Sequence, residues 1–451
     1  MKTAAATNLA LVLLALLPAA LGSCTHPAPY GLEARGAPKP YLQMPPTAHG
    51  EIPALLSQTG VFRDTSRRTL SEGLIPYSLN VAFWSDGAEK SRWMALPAGG
   101  EIGFAPTGEW RFPAGTVFVK NFDLATDAAR PEVKRRLETR LLVRDATGGV
   151  YGAVYKWRAD GSDADLLAGR ATETIQIKSA NGQVREQSWY YPSREDCLTC
   201  HTANAGGVLG VKTRQMNGKF TYPSGVSDNQ LRTWNHLGLF APGFEESDLH
   251  SFAALASTDD LSRPLEDRAR SYLDANCSQC HRPGGTVANF DARYDTPLPA
   301  QGLIAGPVLI DQGIDRPRVI SPHDVWRSIA YMRVNTVGEI KMPPLARETI
   351  DTKGVQLLGE WIDSMPGRPV LPPPAISPPG GTFAGSVEIS LTVREPGSEI
   401  RYTLDGSVPN ASDALYEKPI KLTAPAVLRT RAFKEGFTRS ITEQQVFIVG
   451  K

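Results

Sequence analysis

The sequence predicts a multidomain α+β chain, with a β-rich N-terminal domain, a mainly α-helical domain after it and a β-sandwich at the C-terminus. Three observations predict this. Between about residues 76 and 192, short aromatic and β-branched runs alternate with Gly, Pro and Asp turns. From about 262 to 365 the apolar positions fall instead at helical spacing. Beyond a proline-rich stretch at 366–379, alternation of apolar and polar residues resumes. The 451 residues, 41% of them hydrophobic, are enough for several domains with real cores. The charge is balanced, 48 basic against 47 acidic residues, which excludes a general nucleic-acid-binding surface.

Taken in order, the chain opens with Lys2 and an unbroken apolar run at 9–17, the length of a signal peptide and too short to span a bilayer. Leu21-Gly22-Ser23-Cys24 resembles the lipobox of bacterial lipoproteins. That likeness implies cleavage after residue 23, lipidation of Cys24 and a lipid-anchored protein in the periplasm or at the cell surface. Thr25 in place of Asp points to the outer membrane. The competing reading is an ordinary export cleavage with an incidental thiol. Residues 24–54, rich in Pro, Gly and Ala, are expected to be a flexible linker.

The β-rich domain is expected over 55–261, as a sandwich or barrel-like sheet. Its strands are read at 110–112, 116–119, 140–143 and 150–157, and a last one at 187–191 runs almost into Cys197. Over 262–366, Ala269, Tyr272, Leu273 and Asn276 mark one helix, and Leu357, Leu358, Trp361 and Ile362 mark another. Residues 367–379 read as a stiff Pro-rich linker. In 380–451, strands are expected at 387–393, 399–404, 427–433 and 445–449, with Asp405-Gly406 as a hairpin signal.

One pentapeptide pattern occurs twice, as Cys197-Leu198-Thr199-Cys200-His201 and Cys277-Ser278-Gln279-Cys280-His281. Cys-x-x-Cys-His spacing suits covalent attachment of haem c: two thiols for the vinyl groups, and an imidazole that reaches the iron from the same side. Of five cysteines, four lie in the two motifs and the fifth is Cys24, so none remains for a disulfide framework. Paired zinc knuckles are usually about 15–20 residues apart. These motifs are 80 positions apart. A thioredoxin-like dithiol explains neither the repetition nor the two histidines. The expected cofactors are therefore two covalent haems c, bound through Cys197, Cys200, Cys277 and Cys280, with His201 and His281 as proximal iron ligands. Export agrees with this, since bacterial c-haems are attached outside the cytoplasm.

A low-spin haem needs a second axial ligand. For the second haem the candidate is Met342, in Lys341-Met342-Pro343-Pro344-Leu345, where prolines stiffen the loop; Met332 is the nearer competitor. For the first haem Met216 and His236 are both candidate distal ligands, and an open site is the third option. His26, His49, His250 and His323 read as surface or loop residues. A carbonyl in Pro283-Gly284-Gly285 is expected to accept the second imidazole N–H of His281.

Several resemblances extend this reading. The runs Tyr77-Ser78-Leu79-Asn80, Phe83-Trp84-Ser85-Asp86-Gly87-Ala88-Glu89-Lys90, Trp110 to Val117, Glu138-Thr139-Arg140-Leu141, Leu209-Gly210 and Gln215-Met216-Asn217 resemble a family of exported bacterial diheme c-type cytochromes, over residues 55–365. That family often carries leucine where this chain has Met216. Residues 262–366 resemble a cytochrome c domain, whose distal methionine Met342 matches. The run 400–409, with Tyr416, Pro419-Ile420 and 432–436, resembles the C-terminal module of chitobiases and hexosaminidases, which implies an immunoglobulin-like accessory β-sandwich. More loosely, a β domain with Gly115 to Lys120 ahead of a haem motif looks like the hydroxylamine-oxidising mono-haem cytochromes.

Three functions follow as expectations. The first is a membrane-anchored diheme electron carrier between an exported dehydrogenase and a respiratory acceptor. The second is a diheme oxidoreductase, peroxidase-like or oxidising small nitrogen compounds at an open first haem. The third is a glycan-binding surface cytochrome.

Overall fold

The computed structural model describes residues 28–285 and 290–450; the leader and Cys24 lie outside them. A short hairpin, β1 (Phe62–Asp64) and β2 (Thr69–Leu70), precedes the main sheet. That sheet has six antiparallel strands in chain order: β3 (Ile75–Tyr77), β4 (Glu89–Ala95), β5 (Val117–Ala125), β6 (Lys134–Arg144), β7 (Val150–Trp157) and β8 (Ala164–Leu166). Alternate side chains point to opposite faces. Val117, Val119, Leu141, Val143, Ala153 and Tyr155 enter a core with Leu56, Val61 and Phe62. On the other face, Met94 and Phe118 join an aromatic core around Trp110, Trp234 and Phe240. The hairpin of β9 (Ala171–Lys178) and β10 (Val184–Tyr191) packs Ile175, Ile177, Trp189 and Tyr191 on Phe122 and Leu137.

After β10 come α1 (Arg194–Cys200), α2 (Thr213–Met216), the small hairpin β11 (Lys219–Thr221) and β12 (Ser227–Asn229), and α3 (Gln230–His236). Residues 28–54, expected as a loose spacer, lie against this body. Tyr41 N–H donates to the Gly115 carbonyl at 2.8 Å, Gly31 N–H to Thr233 Oγ1 at 3.1 Å, and Met44 is buried. Their Pro and Gly content shapes a packed irregular strap, because its backbone groups find partners on the sheet.

The fold class departs from the α+β expectation. The helices α4 (Leu265–Cys277), α5 (Ile329–Val334) and α6 (Thr352–Ser364) are the α-helices of the region expected to be a mainly α-helical cytochrome c domain, and none exceeds 13 residues. No large helical domain is present among the described residues, and the chain is predominantly β. Both amphipathic stretches read from the sequence are helices, and they pack on each other through Ala269, Tyr272, Leu273, Leu358, Trp361 and Ile362. Burial of each large apolar side chain stabilises the pair by about 1.5–3 kcal/mol. Between them, however, Pro297, Pro299, Gly302, Gly306, Pro307, Gly313, Pro317 and Pro322 interrupt every turn that helix propagation would need. The segment therefore runs as loops and short 3₁₀ turns. No helix among the described residues is long and apolar enough to cross a membrane.

The C-terminal module is a β-sandwich. One sheet orders β13 (Ala375–Ser377), β15 (Val387–Thr392) and β18 (Ile420–Leu422). The other runs β14 (Gly381–Ala384), β20 (Glu443–Gly450), β19 (Ala426–Phe433), β16 (Glu399–Thr403) and β17 (Ala414–Leu415). Ile389, Leu391, Leu428 and Phe447 fill the space between them. The Pro-rich linker is stapled to this module: Leu371 is buried and its N–H donates to the Thr438 carbonyl at 3.0 Å.

Candidate functional site

The first motif sits at the end of α1. Ser193 and Asp196 form a capping box, Ser193 Oγ accepting from Asp196 N–H at 3.2 Å and Asp196 accepting from Ser193 N–H at 2.9 Å. The helix lies on β7, where Gly152 leaves room for the Cys197 sulfur. His201 N–H donates to the Cys197 carbonyl at 3.0 Å, and the imidazole Nδ1 lies 2.8 Å from the Gly207 carbonyl. A carbonyl only accepts, so Nδ1 carries the proton and Nε2 keeps a free lone pair, the tautomer of a metal-binding histidine. Burial, then the charge of Lys120, pushes His201 down to about 4.

The second motif begins at the last residue of α4. His281 N–H donates to the Cys277 carbonyl at 2.9 Å, and its ring stacks on Phe290 at 4.3 Å. Its Nδ1 is buried without a hydrogen-bond partner among the described residues. The carbonyl expected from Pro283-Gly284-Gly285 does not reach it, because the turn closes on itself through Gly285 N–H and the Arg282 carbonyl at 2.9 Å. Burial, then the nearby Arg333, pushes His281 down to about 4. Met342 is half-buried, and its N–H donates to the carbonyl of that same Arg333 at 2.9 Å. The buried Arg347 guanidinium holds this loop by donating to the carbonyls of Met342, Val334 and Thr336. Asp86, in the Ser85-Asp86-Gly87 turn, accepts from Glu348 N–H at 2.8 Å and from Thr349 N–H at 2.7 Å, which ties the Met342 loop to the β domain.

The two motifs meet in space. The Cys200 and Cys280 thiols are neighbours, and Cys280, then burial, raises the Cys200 thiol. The loops that follow also interlock: Asn204 Nδ2 donates to the Pro283 carbonyl at 3.0 Å, and Arg282 to the Asn204 carbonyl at 3.2 Å. Behind them runs an ion-pair chain. Glu109 pairs with Arg282 at 2.8 Å and Lys212 at 3.6 Å, and Asp274 with Lys212 at 3.0 Å and Arg214 at 2.9 Å.

Cys197, Cys200 and His201 open into a cleft with about 1450 Å³ of empty space, part of it open to solvent, between the main sheet, α4 and Leu345-Ala346. Neither candidate distal ligand of the first haem is among the residues lining it. Met216 is fully buried in the aromatic core, and His236 stacks on Tyr30 at 3.6 Å with Nε2 3.8 Å from Glu33. Sequence reasoning missed the polar walls: Glu109, Lys212 and Asp274 on one side, and Lys90, Arg92, Lys120 and Arg140 on the sheet. Strand alternation marks the last four as sharing faces, but only the register brings them side by side.

The paired thiols, the tautomer of His201 and the space left by Gly152 fit a covalently held tetrapyrrole. Among the described residues no three His, Cys, Asp or Glu side chains converge as a cage for a bare ion. Haem iron takes four ligands from its own ring and asks the protein for only one or two.

Residues 378–443 match the chitobiase/beta-hexosaminidase C-terminal domain. The match covers most of the sandwich and neither Cys-x-x-Cys-His motif. No curated protein and no solved structure matches the chain. The resemblance to diheme cytochromes over residues 55–365 thus rests on the motifs themselves.

Proposed function

We propose that this chain is an exported, lipid-anchored diheme c-type electron-transfer protein working between an exported dehydrogenase and a respiratory acceptor. The observation that carries the reading is the interlocking of the loops after the two motifs, Asn204 Nδ2 donating to the Pro283 carbonyl at 3.0 Å and Arg282 to the Asn204 carbonyl at 3.2 Å, which sets two Cys-x-x-Cys-His motifs side by side although they are 80 positions apart. A dithiol site would use the sulfurs alone; here each pair is followed by a half-buried imidazole whose protonation is disfavoured by burial.

Cys197, Cys200, Cys277 and Cys280 would form the thioether links, and His201 and His281 would supply the proximal nitrogens. Haem c held there supplies reversible one-electron chemistry. The protein's part is orientation. The Gly207 carbonyl fixes the His201 ring and strengthens Nε2 as a donor. Arg347 and Asp86 hold the loop that would present Met342 to the second iron. Cys24 would tether the body to the membrane, and the C-terminal sandwich would act as an accessory module.

Covalent haem in the purified protein tests this directly. Two haems per chain are expected by mass, falling to one intact attachment site when Cys277 and Cys280 are both replaced by Ser. Met342→Ala should turn one iron high-spin and lower its potential. A chain without covalent haem overturns the proposal, and an unchanged spectrum overturns the Met342 assignment.

One observation favours the second reading, an oxidoreductase with an open first haem: neither Met216 nor His236 lines the cleft of His201. Cyanide or nitric oxide binding at one haem only would select it, and resistance of both haems would select the carrier.

A further inference from the structure

The cleft has two walls of opposite character. On the α4 side its charges are paired, Glu109 with Arg282 and Lys212 with Asp274. On the sheet side they are not. Antiparallel register sets Tyr77 opposite Arg92, Arg92 opposite Lys120, and Lys120 opposite Arg140. Side chains directly opposite point to the same face, so three cations from three neighbouring strands stand in one row. Lys90 joins them from the next row, opposite Phe122. Like charges directly opposite are destabilising, and a sheet carries such a row only where something else offsets it.

Within the protein the offset is partial. Arg140 has a carboxylate, Glu138, gripped at 2.6 and 3.0 Å. Lys90 donates to the Phe83 carbonyl at 2.6 Å and Arg92 to the Lys90 carbonyl at 3.3 Å, contacts that neutralise no charge. Lys120, mostly buried, has no hydrogen-bond or ion-pair partner among the described residues and rests its ammonium 5.3 Å from the Phe122 ring centre. Burial, then the charges of Arg140 and Arg92, pushes Lys120 down to about 7. Arg92, Lys120 and Lys90 thus form a cationic wall with no ion-pair contact among the described residues, lining the same cleft as Cys197, Cys200 and His201.

We propose that this ladder, Arg92–Lys120–Arg140 with Lys90 beside it, is the binding site for the two carboxylates of the porphyrin attached at Cys197 and Cys200. The inference rests on the haem reading above and deepens it. Two carboxylates placed among three unpaired cations turn a repulsive row into a paired one. The pairing orients the ring in its cleft, and the remaining positive charge raises the potential of that iron, because a cation disfavours the more positive oxidised state. Dissolved oxyanions offer the same chemistry, so the test must separate the two sources.

The experiment uses the full-length holoprotein. Lys120→Gln should keep two haems by mass while the midpoint potential of one haem falls by at least about 59 mV, a tenfold change in a one-electron equilibrium. The resonance Raman bands of that haem's carboxylates should shift as well. Lys120→Arg should keep both signals at wild-type values, and Arg92→Gln repeats the test at the next rung should Lys120→Gln fail to fold. Inorganic phosphate added to the wild type should leave the spectrum unchanged. Two haems with unmoved potentials and carboxylate bands in the Gln variants would overturn the ladder assignment. A saturable phosphate response lost in Lys120→Gln would show that the ladder binds dissolved anions instead. A wild-type chain without covalent haem would overturn the reading beneath, and this inference with it.

Discussion

A Cβ placed on Gly152 would lie 2.9 Å from the Cys197 sulfur and 3.2 Å from the Cys197 Cβ, closer than packed side chains tolerate. The absence of a side chain on β7 therefore lets α1 sit flat on the sheet and aims the first motif into the cleft. Gly152→Val should push α1 away at a cost of about 1–3 kcal/mol. On the proposed diheme reading, mass spectrometry should then find one covalent haem instead of two; a full complement would mean that α1 can shift without losing the site. In the sequence Gly152 is only a glycine within a strand pattern, which signals close approach by some neighbour without naming it. Lys120 is similar. Its strand and its parity are readable, but its repulsion by Arg92 and Arg140 appears only once the register is known.

Helix α4 shows the same division along its length. Its apolar face, through Ala269, Tyr272 and Leu273, was legible from spacing and packs on α6. The opposite face is also buried, with Asp274 between Lys212 and Arg214 and accepting Tyr294 N–H at 2.9 Å. Burial alone would raise the Asp274 carboxyl; the charges of Lys212 and Arg214 outweigh it and hold the group below its ordinary value. A depressed folded-state pKa stabilises above the unfolded value, about 3.9, and this contribution is lost as pH falls through the lower folded value. Asp274→Ala should cost about 1–3 kcal/mol near neutral pH, because it takes a shared carboxylate from two buried cations and leaves Lys212 only Glu109 and Arg214 only Asp295. The melting temperatures of wild type and variant should then converge as pH falls below about 4. A gap that stays constant from pH 7 to 3 would mean that packing, and not the ion pair, anchors α4.

At the scale of the molecule, the C-terminal sandwich is docked and not merely strung on a linker. Asp315 pairs with Arg327 at 3.0 Å, Arg431 at 3.2 Å and Arg439 at 3.6 Å, and Arg327 also donates to the Arg439 and Ser440 carbonyls. Prolines at 366–379 do not set the module free, because Val370 and Leu371 bond along Thr438. Limited proteolysis should cut slowly between residues 367 and 379 in the wild type and much faster in Arg327→Ala, which removes the guanidinium spanning the seam. Equal rates would mean that the strand-like contact at Thr438 holds the module without the ion pairs.

The sequence alone carried the two Cys-x-x-Cys-His motifs and many local elements: the amphipathic helices that became α4 and α6, eight of the strands, though not the one expected at 110–112, and the module at 378–443. These are short-range properties, written in spacing and periodicity. Tertiary structure decided the rest. It replaced the expected helical domain with loops, since Pro and Gly between two good helices forbid more of them. It also brought Cys200 to Cys280, removed Met216 and His236 from the lining of the first cleft, and aligned Arg92, Lys120 and Arg140 across three strands. Each of these depends on which distant segments share a register or a core, and burial and strand pairing decide that over the whole chain.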